Sequence, residues 1–179
     1  NRSGATTQTL SFDAGTLDVT RVIMADDKGS GALTATMNLG GGTVLIGTGG
    51  VQLAKNGTGN LNITGNASVT SAGDIFKATG TGTANLTLNG AGAVLDMRGN
   101  DITGLTSFVF RDGTLRDVGS VNSPITLAGT GQRTFLQESN GVISGAIGAP
   151  QRQGARARLQ EARVGAADGP NAGLLKAGA

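Results

Sequence analysis

The stretch LAKNGTGNLNITGNASVTSAGDIFKATGTGTANLTLNGAGAVLDM, residues 53–97, decides how this chain folds. One unit is written twice within it. Lys55 leads into Gly57-Thr58-Gly59 and the run NLNIT, and Lys77 leads into Gly80-Thr81-Gly82 and the run ANLTLN. Alternation of polar and apolar residues over a few positions marks a half-buried strand. Self-similarity at a period of some two dozen residues marks a stacked repeat.

Upstream, Lys28-Gly29-Ser30-Gly31 opens an earlier unit whose strand ALTATMNL places Leu33, Ala35, Met37 and Leu39 on one face. The pairs Met37/Leu39, Leu61/Ile63 and Leu86/Leu88 are spaced 24 and then 25 residues apart. Constant spacing in strands with looser spacing in turns predicts coils stacked through corners of variable length. A more distant echo links FDAGTLDV (12–19) with FRDGTLRDV (110–118). Beyond residue 97 the period loosens. RGNDITG (98–104) reads as a polar corner, and TSFVF, GTLRDV, SPITL, RTFL and GVISGAI read as five further short strands, with Pro124 at a strand start where its missing N–H is tolerated.

Composition agrees with an elongated β-structure. The 179 residues hold 32 Gly and 22 Thr, no Trp, Tyr, His or Cys, and five Phe. A globule of this length fills its core with aromatic and long aliphatic side chains. Here small layers of Val, Ile, Leu and Phe must be spread along the chain, with Thr on the pleated surface and Gly at tight corners. At about 25 residues per coil, residues 1–148 make roughly six coils, a section of about 25–30 Å at the usual strand separation. Asn38, Asn62 and Asn89, each near a strand end, are candidates for side-chain ladders along the stack, or ordinary turn-flanking Asn.

The net charge of +2 is uneven. Residues 1–150 carry nine Lys and Arg against ten Asp and Glu, whereas residues 151–179 carry five against two. The body is nearly neutral, which argues against a nucleic-acid partner. Residues 149–173 form an Arg/Ala/Gly-rich linker or insertion, irregular or weakly helical around ARARLQEAR (155–163), and 174–179 read as the start of a further repeat at Lys176. No apolar run reaches the roughly 18 residues of a membrane span. The chain begins at Asn1 without a leader and reads as a piece of a larger protein.

The units KNGTGNLNITG (55–65) and KATGTGTANLTLNG (77–90) resemble the autotransporter-associated β-strand repeat of large bacterial surface proteins, and LLKAGA (174–179) is similar to the opening of another copy. GTLRDV is also similar to segments between such repeats. The resemblance covers residues 28–148 and is densest over 53–97. It implies a right-handed parallel β-helix in a passenger exported by a Gram-negative bacterium and displayed at, or released from, the outer membrane. It further implies a longer chain with a C-terminal barrel or other anchor, in the service of adhesion or display. Residues 149–173 depart from the pattern.

The fold class expected is therefore all-β, a parallel β-helix segment. Without His or Cys, nucleophilic triads and the usual zinc sites are excluded within this segment. No cofactor is expected. GGGTVLIGTGG (40–50) lacks the Gly-Lys-Ser/Thr ending and the helix of a phosphate loop. Asp is too sparse for a Ca²⁺-binding nonapeptide repeat. Three readings of function remain. The first is a structural section without catalysis of its own. The second is a lyase or hydrolase acting on acidic glycans, as β-helices similar to pectate lyases do, using Asp96 and Asp101 or Arg111, Asp112, Arg116 and Asp117; the plainer account is a set of solubilising corner charges. The third is a surface that contacts a glycan or cell-surface partner through Asn, Thr and a line of Lys28, Lys55 and Lys77, whose plainer role is to keep coil edges from pairing between molecules.

Overall fold

The computed structural model describes residues 5–26, 33–138 and 141–148. They wind into six coils. The first contains β1 (Thr6–Phe12), β2 (Thr16–Val19) and β3 (Val22–Ile23), and the second β4 (Leu33–Leu39), β5 (Thr43–Ile46) and β6 (Val51–Gln52). The third contains β7 (Thr58–Thr64), β8 (Ser68–Ser71) and β9 (Ile75–Phe76). In the fourth, β10 (Thr83–Asp96) serves two faces before β11 (Ile102–Thr103), and in the fifth β12 (Ser107–Arg116) does the same before β13 (Ser120–Asn122). The sixth holds β14 (Ile125–Leu127), β15 (Arg133–Leu136) and β16 (Val142–Ile143), and β17 (Ile147–Gly148) lies over β14.

Every strand pairing is parallel, each strand lying on its counterpart one coil away. The first face runs β1-β4-β7-β10-β12-β14-β17 and the third β3-β6-β9-β11-β13-β16. Between them β2, β5 and β8 form a second face completed by the later halves of β10 and β12 and by β15. The expected β-solenoid is the observed fold.

Its core follows from register. Met37, Leu61, Leu86, Phe108 and Ile125 form one inward column, and Phe12, Leu39, Ile63, Leu88, Phe110 and Leu127 the next. The second face contributes Leu17, Val44, Val69, Leu95, Leu115 and Phe135, and the third Val22, Val51, Ile75, Ile102, Val121 and Ile143. The 24- and 25-residue spacings are thus true coil spacings. The echo of residues 12–19 in 110–118 is also structural, since Phe12 and Phe110 share one column and Leu17 and Leu115 another. Later coils are shorter: Phe108 meets Ile125 after 17 residues. Aromatic rings fill this region, with Phe110 edge-on to Phe135 at 5.1 Å between centroids.

Several local expectations are corrected. RGNDITG is not wholly a corner, because Ile102 is fully buried on the third face, in a two-residue strand between the turn before it and Gly104 after it. Most of TSFVF and GTLRDV belongs to one strand, β12, and the run ANLTLN continues through Gly90 and Gly92 to Asp96 as β10. GVISGAI divides into β16 and β17, which belong to different faces. Pro124 does sit immediately before a strand, and its carbonyl accepts from the Phe108 N–H at 3.0 Å. The expectations for 149–173 and 174–179 and for Lys28 lie outside the described residues.

Two glycines show how tightly coils approach. Gly59 occupies an inward position between Ala35 and Ala84, where a Cβ would collide with the Leu53 carbonyl oxygen. Gly65 turns the chain at φ 57°, close against the Gly40 carbonyl. Gly59→Ala is expected to cost at least about 1–3 kcal/mol by overpacking, read as a fall in the urea midpoint. Leu61→Ala, in the middle of a fully enclosed column, should cost about 2–5 kcal/mol, whereas Leu45→Ala on the outer side of β5 should stay within about 0.5 kcal/mol in the same titration.

Candidate functional site

Asp96 and Arg116 end the two long strands β10 and β12 and face each other on the outside of the second face. The Arg116 Nε lies 3.8 Å from Asp96 Oδ2, and the Arg116 Nη2 donates to Glu138 Oε1 at 2.6 Å. Asp96 is further occupied, since its Oδ1 accepts from the Arg98 N–H at 3.0 Å. One guanidinium is therefore held between two carboxylates along the coil axis. Arg116 is 40% exposed and Glu138 56%, so solvent screens most of this attraction.

The remaining residues of the acidic and basic clusters are dispersed. Asp101 sits at the corner before β11, where its N–H donates to Asp74 Oδ1 at 2.9 Å. Arg111 is exposed within β12, at the corner between the first and second faces. Beside it, Asp112 turns its Oδ1 back onto the Gly113 N–H at 2.9 Å. Asp117 lies at the other end of the second face with φ 44°, its carbonyl accepting from Gly99 N–H at 2.6 Å. Asp96, Asp101 and Asp112 each use a carboxylate or backbone group to shape a turn or strand end. Hydrolysis of a glycosidic bond ordinarily uses two carboxylates flanking that bond at a distance set by the mechanism. The paired group here is instead Asp96, Arg116 and Glu138, with the cation in the middle. Among the described residues, no group of three or more Asp, Glu, His or Cys is placed to hold a metal ion.

Lys55 and Lys77 both belong to the corner between the third face and the first, yet they are out of step. The register of β6 with β9 pairs Gln52 with Phe76, which sets Lys77 beside Leu53 and leaves Lys55 two positions farther on. Lys77 Nζ donates to Gly80 O at 2.9 Å and so closes its own turn. The Lys55 carbonyl accepts from the Gly82 N–H at 2.7 Å, which joins two successive Gly-Thr-Gly corners.

Asn38 and Asn62 do form a ladder step, with Nδ2 of Asn62 donating to Oδ1 of Asn38 at 2.9 Å. Asn89 belongs to another column, opposite Thr64. A second ladder escaped the sequence reading. Asn85 donates to Asn60 Oδ1 at 2.8 Å, and Asn60 donates to Thr36 Oγ1 at 3.3 Å. Its signal was available in the 24- and 25-residue spacings of Thr36, Asn60 and Asn85. Glu138 and Asp74 were also missed, although Glu138 follows Arg116 by 22 residues, within the range of coil lengths.

The Asp96–Arg116–Glu138 row should contribute little to stability. Asp96→Asn or Glu138→Gln is expected to shift unfolding free energy by at most about 1 kcal/mol, and the shift from Glu138→Gln should shrink at high salt in parallel denaturation curves. No protein-family model, no curated protein and no solved structure matches the chain.

Proposed function

We propose that residues 1–148 are a structural section, a β-helical stalk or passenger segment of a secreted or outer-membrane-displayed bacterial protein, supporting adhesion or display and performing no catalysis of its own. The observation that carries this reading is the unbroken set of inward columns, in which each coil contributes the same apolar positions and the corners absorb the variation. Such a body is stabilised by contacts between neighbours and gains length by adding coils. The Lys-Gly-Thr-Gly units and their resemblance to repeats of bacterial surface proteins support the location.

The described end coils expose positions that are interior elsewhere. Leu10 is 53% exposed at one end, and Ile143 and Ile147 are 38% and 55% exposed at the other. These layers suit further β-structure stacked on either side, which fits a section of a longer rod.

The test is protease shaving of intact host cells followed by fractionation and antibody detection. Loss of the signal on shaving, or its recovery from the medium, is expected. A signal confined to the cytosolic fraction and untouched by protease would overturn the location. Catalysis is tested separately by incubating the purified chain with polygalacturonate and following the absorbance of unsaturated products. A flat trace is expected, and turnover abolished by Arg116→Gln would replace the structural reading with the lyase one.

A further inference from the structure

Over its first four coils the outer side of the first face is chemically uniform. Its outward positions on the first four coils are Thr7, Thr9 and Ser11; Thr34, Thr36 and Asn38; Thr58, Asn60 and Asn62; and Thr83, Asn85 and Thr87. All twelve are Thr, Ser or Asn. A protein surface is ordinarily about 25–35% charged, so three or four charges would be usual in such a set. Neither charge nor aromatic ring occurs in it. The register runs through these four strands without a shift, and the first irregularity comes only between β10 and β12 after Leu88.

The groups consequently stand on a two-dimensional grid, about 4.8 Å between coils and about 6.6 Å between alternate residues of a strand. They are also held in place. Thr is stiff at χ1 because it is β-branched. Asn38, Asn60, Asn62 and Asn85 are fixed by the ladder bonds between coils. Little side-chain freedom remains to be lost on binding, which is the condition for many weak contacts to add up.

We propose that this grid is an ice-binding surface. Its complement must be neutral, must offer hydrogen-bond donors and acceptors in equal measure, and must repeat in two dimensions at nearly these spacings. Solid water meets all three conditions. An anionic glycan or nucleic acid would call for cations, which the grid lacks. Sugar rings are gripped by aromatic stacking, and the grid has no ring to offer. The proposal is independent of where the rod is displayed.

The experiment uses the purified 179-residue chain, with folding of every variant checked by far-UV circular dichroism and thermal melting. Freezing hysteresis and inhibition of ice recrystallisation are measured for the parent, for the grid variants Thr58→Lys and Thr87→Lys, and for Thr43→Lys and Thr70→Lys on the second face. The expected result is activity in the parent, its loss in the grid variants and its retention in the second-face variants. A folded parent that leaves ice growth unchanged would overturn the proposal, as would equal loss in both pairs. Co-sedimentation of the parent with microcrystalline cellulose, without effect on ice, would assign the grid to a neutral polysaccharide and overturn it too.

Discussion

Parallel stacking imposes one constraint from which the rest of this molecule follows. A residue pointing inward must meet the residue at the same register one coil away, because the backbone hydrogen bonds between coils fix which two stand together. A slip by one residue would turn every Leu and Ile of a strand outward and every Thr and Asn inward. Strand phase is therefore rigid, while the corners are free to vary. The chain uses that freedom: the first-face spacing is 27 residues from β1 to β4, 24 from β4 to β7 and 17 from β12 to β14.

The same constraint decides what the sequence reveals. Met37, Leu61 and Leu86 were legible as a column because β4, β7 and β10 each alternate over several residues, and a long alternating run defines its own phase. The third face was not legible. Its strands are mostly two residues long, as in Ile75–Phe76 and Ile102–Thr103, and two residues carry no period. Ile102 was consequently read into a polar corner although it is completely enclosed. The continuity of β10 was hidden for another reason. Gly is the residue type expected at tight corners, yet Gly90 and Gly92 lie within a strand that bends from one face to the next.

The charged residues show the limit of proximity along the chain. Asp96 and Asp101 are near neighbours in sequence and do different work, one beside Arg116 and the other against Asp74. The partner that sequence distance concealed, Glu138, reaches Arg116 because one whole coil intervenes. Coil length must be known before such a contact can be inferred, and in the shortened later coils it is no longer constant. The grid of Thr and Asn is subject to the same rule. Each row was visible as the polar half of an alternating strand, but the rows become a surface only once the register aligns them.

The Asn ladders carry a direction. In both, each amide N–H₂ donates toward the preceding coil, from Asn85 to Asn60 to Thr36 and from Asn62 to Asn38. A one-way chain of donors and acceptors aligns its dipoles, and each bond polarises the next. The first face thereby acquires a polarity along the rod axis that its neutral composition conceals. A molecule approaching the Asn85 or Asn62 end of a ladder meets an amide oxygen, an acceptor, and one approaching the other end meets donors, the Thr36 hydroxyl and the Asn38 amide. Growth, fraying or docking along this face is consequently a vectorial process, distinguishing one end of the solenoid from the other before any charged group is involved.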